Sequence, residues 1–108
     1  MDKAVLETIE RFKCAVEAAG IRVRRVVLFG SHAAGKACEH SDIDLAVISD
    51  DFQGLDVRQR LEILGLALAR AKIMEPIEAL AYTTEEYDSR ERGTFVADEV
   101  KAKGVSLT

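Results

Sequence analysis

The residues of this sequence best suited to do chemistry are a glycine-serine turn and, a dozen positions later, a pair of aspartates. Phe29-Gly30-Ser31-His32-Ala33-Ala34-Gly35 closes the apolar run that starts at Val26, and Ser41-Asp42-Ile43-Asp44-Leu45 opens the next one. A glycine at the end of a buried strand lets a phosphate approach the backbone, while the Ser31 hydroxyl can cap the following turn and meet a phosphate oxygen. Amides at a helix N-terminus favour the same anion. Asp42 and Asp44, two positions apart on a strand, send both carboxylates from one face, about 7 Å apart at the backbone. Two hard cations about 3.5–4 Å apart, held by carboxylate and triphosphate oxygens, would activate an attacking hydroxyl and stabilise departing pyrophosphate. Such a site calls for a third carboxylate. Glu78 is the first choice, because it lies on a separate strand beside Ile77, Ala79 and Leu80, where a stray charge is expensive. It would bind metal and accept the hydroxyl proton. Glu75, nearer the start of that strand, is the fallback.

Each of these residues also has a structural reading. Gly30-Ser31 alone would be a strand-to-helix turn with an N-cap serine. Asp42 alone could belong to a loop, Asp44 to a strand edge, and Glu78 could face solvent. Two carboxylates starting an apolar strand at this distance from the turn favour the metal site instead. His32 reads as lining the turn rather than as a base. Cys38-Glu39-His40 lacks the ligand spacing of a zinc site. Arg22, Arg24 and Arg25 read as the charged start of a strand before they read as a surface for nucleic acid.

Secondary structure must bring these groups together. Val5, Ile9, Phe12 and Val16 recur at helical spacing, which predicts a helix over 2–19 with Asp2 as cap and Gly20 as stop. A β-branched strand follows over 21–29, then a short helical turn and loop over 32–41, and a second strand over 42–48. Asp56 and Gln59 have capping-box spacing ahead of the stripe Val57, Leu61, Leu64, Leu68 and Ala71, a helix expected to cover one face of the sheet. A third strand is expected over 73–82. Thr83 and Glu86 form a second capping box opening a short helix, 94–103 reads as a last helix stopped by Gly104, and 105–107 as an edge strand.

The 108 residues fit one domain spanning 1–108. An apolar fraction of 48% with 31% charged residues is that of a globular protein, no apolar run reaches the length of a membrane span, and the first residues have no signal-peptide core. A cytoplasmic location is expected, with Cys14 and Cys38 as reduced thiols. A net charge of −4 gives no large footprint for long duplex nucleic acid and is compatible with a metal-neutralised nucleotide.

Gly30-Ser31-x-Ala33-x-Gly35 followed by Ser41-Asp42-Ile43-Asp44-Leu45 resembles the signature of the polymerase-beta-like nucleotidyltransferase superfamily. Ile77-Glu78 with Thr83-Thr84-Glu85-Glu86-Tyr87 resembles the third strand and following helix of its minimal, MntA-like branch. The resemblance implies an α/β (α+β) fold, a small mixed β-sheet flanked by helices. It implies Mg2+, two ions, and ATP as ligands, with Asp42, Asp44 and Glu78 as catalytic and metal-binding residues and Gly30, Ser31, Gly35, Lys36 and Ser41 holding the nucleotide. In that branch the gene commonly neighbours one for a HEPN-domain toxin, which the nucleotidyltransferase neutralises as antitoxin, some members by transferring AMP to a tyrosine of the toxin. The expectation is therefore a protein-modifying nucleotidyltransferase, whose short chain needs a partner to supply the acceptor surface. The alternative is a non-catalytic nucleotide-binding antitoxin or regulatory subunit acting by contact. Either could work as a homo- or hetero-oligomer. Relatives often carry arginine where this chain has His32 and Ala34, leaving Lys36 to supply a charge without the bidentate fork. Many carry aspartate where this chain has Glu78.

Overall fold

Ile9, Phe12 and Val16 fall on one stripe of helix α1 (Lys3–Ala18) and are buried. The computed structural model describes residues 3–33, 35, 42–88 and 104–107. The expected cap Asp2, the residues Ala34, Lys36, Cys38 and Ser41, and the helix expected over 94–103 lie outside them. Helix α1 stops at Gly20, whose φ of 97° is the left-handed conformation glycine adopts without a Cβ penalty. The Ile21 amide returns to the Val16 carbonyl at 3.4 Å and the Gly20 amide to Glu17 at 3.0 Å, a Schellman-type ending.

Helix α3 (Val57–Arg70) starts on the expected capping box: the Gln59 amide donates to the Asp56 carboxylate at 2.8 Å, and the Asp56 amide to the Gln59 side chain at 2.9 Å. It ends as α1 does, with the Ile73 and Lys72 amides each 3.1 Å from the carbonyls of Leu68 and Ala69. Here, however, the left-handed position is occupied by Lys72, at φ 54°. A Cβ in that conformation costs about 1–2 kcal/mol, part of which is recovered because glycine also loosens the unfolded chain. Lys72→Gly is expected to raise the unfolding free energy by about 0.5–1 kcal/mol, seen as a higher urea midpoint at unchanged slope.

The sheet is mixed, in the order β3-β2-β1-β4. Strand β1 (Arg25–Phe29) pairs antiparallel with β2 (Ile43–Ile48) and with the edge strand β4 (Val105–Ser106), while β2 and β3 (Ile77–Tyr82) are parallel. A parallel pair needs a crossover, which α3 supplies. Ile43, Leu45 and Val47 join Val26 and Leu28 in one buried cluster with Phe12 of α1 and Leu64 and Ala67 of α3. Ala46 and Ile48, pointing the other way, pack with Val27, Phe29 and Tyr87, which belongs to α4 (Thr84–Asp88).

Two strands are shorter than their apolar composition predicts. The stretch 21–24 precedes β1 as irregular chain, pinned by the Arg22 backbone and guanidinium to Asp51 at 2.7 Å and 3.1 Å. Residues 73–76 also stay out of β3: the left-handed Lys72 redirects the chain, Met74 is 89% exposed, and Pro76 has no amide for a ladder.

Arg60 fastens α3 to β3 and α4. Its side chain, only 11% exposed, donates to the carbonyls of Leu55 and Ala81 and to both carboxylate oxygens of Glu86, the nearer at 2.6 Å. The guanidinium also lies over the Phe52 ring. Glu86 in turn accepts the Thr83 amide at 2.7 Å while the Thr83 hydroxyl accepts the Glu86 amide, completing the second capping box. Arg60→Ala leaves two carbonyls and a carboxylate without their donor and is expected to cost about 2–3 kcal/mol in a denaturant melt. Glu86→Gln, which keeps the amide acceptor, should cost less than half of that.

Candidate functional site

Asp44 is the hub of the site. In the antiparallel ladder it stands opposite Phe29, the last residue of β1, and in the parallel ladder it stands opposite Glu78, the second residue of β3. Alternation puts both carboxylates on the face of Ala46, Ile48, Leu80 and Tyr82, away from α1 and α3. Asp42 lies one residue before β2 rather than within it, and the next amide, that of Ile43, is held by the Pro76 carbonyl at 2.8 Å.

The three acidic groups interact. The Glu78 carboxyl is held above the ordinary range first by the charge on Asp42, then by that on Asp44. Asp44, half-buried, is also raised, chiefly because burial penalises its charged form, while the hydrogen bond from Glu78 and the charge of His32 act in the opposite direction. Carboxylates whose charges oppose one another form a site that gains from a cation. Among the described residues, no three histidine, cysteine or carboxylate side chains form a ready-made coordination shell. A divalent cation bound there would complete its shell with oxygens from a ligand and from water. Asp42, Asp44 and Glu78 are the residues that would hold it.

Gly30 begins the four-residue helix α2 (Gly30–Ala33) at φ 71°. A Cβ at this position would overlap a carboxylate oxygen of Asp44 and come within 3.1 Å of its Cγ. Within the fold, the missing Cβ of Gly30 admits the Asp44 carboxylate. Ser31 and His32 follow on α2, both half-buried. His32, read from sequence as turn lining, exerts its charge on Asp44. Nothing in its spacing signalled that. Gly35 also has φ 71°, and no described residue lies within 4 Å of where its Cβ would be. Lys36 and Ser41 lie outside the described residues. The fallback Glu75 is directed elsewhere, 3.8 Å from Arg11 of α1.

The arginines at the start of β1 are engaged within the fold. Arg22 pairs with Asp51, Arg24 approaches Asp50 at 3.9 Å, and Arg25 lies over the Tyr87 ring. These contacts agree with the structural reading of the cluster. Cys14 is an exposed free thiol. No helix among the described residues is long and apolar enough to cross a membrane.

No curated protein sequence matches the chain. In fold it is similar to a crystal structure from Sulfolobus solfataricus provisionally described as a nucleotidyltransferase, with a TM-score of 0.59 and 22% identity over 98% of this chain and 87% of that one. Residues 15–98 match the family described as polymerase beta, nucleotidyltransferase, and this span contains the glycine-serine turn, both aspartates and Glu78. The chain belongs to that nucleotidyltransferase family.

Proposed function

We propose that this chain transfers AMP from a magnesium-bound ATP to a hydroxyl of a partner protein, a tyrosine of a HEPN-domain toxin, and so acts as an antitoxin. The observation that carries the transfer chemistry is the convergence of Asp42, Asp44 and Glu78 beside Gly30. The metal supplies charge neutralisation for the triphosphate and the leaving pyrophosphate. Asp42 and Asp44 hold and orient the loaded nucleotide. The acceptor oxygen attacks the α-phosphorus, the bond to pyrophosphate breaks, and the hydroxyl proton passes to Glu78 and then to solvent. Glu78, opposite Asp44 in the parallel ladder, is the carboxylate from a second strand to which that role is assigned. The acceptor half of the proposal rests on the likeness of the two motifs to the minimal nucleotidyltransferase branch.

The test combines the protein, labelled ATP, magnesium and the product of the neighbouring gene. Label is expected on a tyrosine of the partner, and none with Asp42→Asn/Asp44→Asn. Should the double variant silence the partner as well as the unaltered chain does, neutralisation proceeds by contact and the transfer reading fails.

A further inference from the structure

Helices α1 and α3 cover the face of the sheet opposite Asp44 and Glu78, and between them runs a groove of about 650 Å3 with a largely apolar lining. Its small side chains are Ala15 and Ala18 of α1 and Ala71 at the end of α3, so another helix can approach closely there. Charged groups border it. Glu7 and Glu10 stand on the α1 side and Arg70 on the α3 side, and none of these three side chains makes a hydrogen bond or ion pair with any described residue. Arg11, by contrast, is committed to the Ala71 carbonyl and to Glu75.

A twofold axis pairs a surface with itself, so a patch is self-complementary when its acidic border meets its basic border in the second copy. We propose that this groove is the contact surface for a second copy of this chain, with Glu7 and Glu10 of each copy facing Arg70 of the other across the alanine floor. The pairing sets charged side chains that have no partner among the described residues opposite unlike charges. It also leaves both acidic clusters uncovered, since they lie on the opposite faces of the two sheets.

Sedimentation equilibrium tests the proposal. The chain should sediment at twice its own mass at micromolar concentration. Glu10→Arg and Arg70→Glu should each raise the dissociation constant by about tenfold, because each reversal places like charges together twice in a symmetric dimer. Glu10→Arg/Arg70→Glu should return it to within about threefold of the starting value. Both positions are exposed on helices, and unchanged circular dichroism separates lost association from lost fold. A chain that remains monomeric to about 100 µM, or a dimer indifferent to the single reversals, would overturn the proposal and leave the groove to another occupant. Neither outcome bears on nucleotidyl transfer, which is read separately.

Discussion

Asp44→Asn is expected to melt at a higher temperature than the unaltered chain when metal is absent, and to transfer nucleotide about a thousandfold more slowly when metal is present. Both results come from one carboxylate. Asp44 is half-buried and faces Glu78 in the ladder, with Asp42 two residues away, and its carboxyl and that of Glu78 are both raised. A group whose folded value exceeds its unfolded value stabilises the fold fully below the unfolded value and loses that contribution as pH rises through the folded one. Near neutral pH the folded chain therefore retains the repulsion among Asp42, Asp44 and Glu78, and asparagine removes its central member. Asp50, Asp51 and Glu86 have the opposite sign: hydrogen bonds from Thr84, Arg22 and Arg60 lower them, so their contributions are present above the unfolded value and lost as pH falls through the folded one. The pH profile of the unaltered chain sums both sets. The difference between it and Asp44→Asn isolates the cluster and should grow from pH 4 upward. Magnesium should raise the melting point of the unaltered chain more than that of the variant. The catalytic loss follows from weakening the grip on the metal-bound triphosphate, worth several kcal/mol at the transition state, with about 1.4 kcal/mol for each tenfold. Thermal melts with and without magnesium check the first half, and single-turnover transfer the second. A variant that melts lower at neutral pH without metal would show that the carboxylates do not repel one another in the fold.

Much of this arrangement was legible in the sequence because it is written in local patterns. The stripe of Ile9, Phe12 and Val16, the Asp56–Gln59 and Thr83–Glu86 capping boxes, and Gly20 each act within one or two helical turns, and each forms as spacing predicts. Apolar composition extended β1 and β3 too far because residues 21–24 and 73–76 are governed by distant or unusual partners. Asp51, 29 residues away, holds Arg22, and a lysine takes the left-handed turn usually left to glycine. The same limit applies to the site. The spacing of Asp42 and Asp44 shows that they share a face, but not that the ladder sets Asp44 opposite both Phe29 and Glu78. Nor does it separate Glu78 from Glu75, which the fold sends to Arg11. Arg60 had no signal at all, since its partners Leu55, Ala81 and Glu86 come together only once α3 packs on β3.

Gly30→Ala should be nearly as harmful to transfer as Asp44→Asn, but for a steric reason. At φ 71° a Cβ already costs about 1–2 kcal/mol, and here it would also overlap the Asp44 carboxylate, with Cγ at 3.1 Å and the Asp44 Cβ at 3.3 Å. The backbone has little room to yield, because Phe29 immediately before it is laddered to Asp44 itself. The carboxylate has to rotate away, which takes it from Glu78 and Asp42. We expect a stability loss of about 2–4 kcal/mol and a transfer loss on the order of a hundredfold or more. Gly35→Ala is the control: it has the same φ and no described residue near its Cβ, so it should cost only the conformational part, about 1–2 kcal/mol. A double-mutant cycle then separates collision from conformation. In an Asp44→Ala background the obstructing carboxylate is gone, and Gly30→Ala should cost at least about 1 kcal/mol less than it does alone. Equal costs in the two backgrounds, matching that of Gly35→Ala, would mean that the glycine is required for its turn and not for the acid beside it.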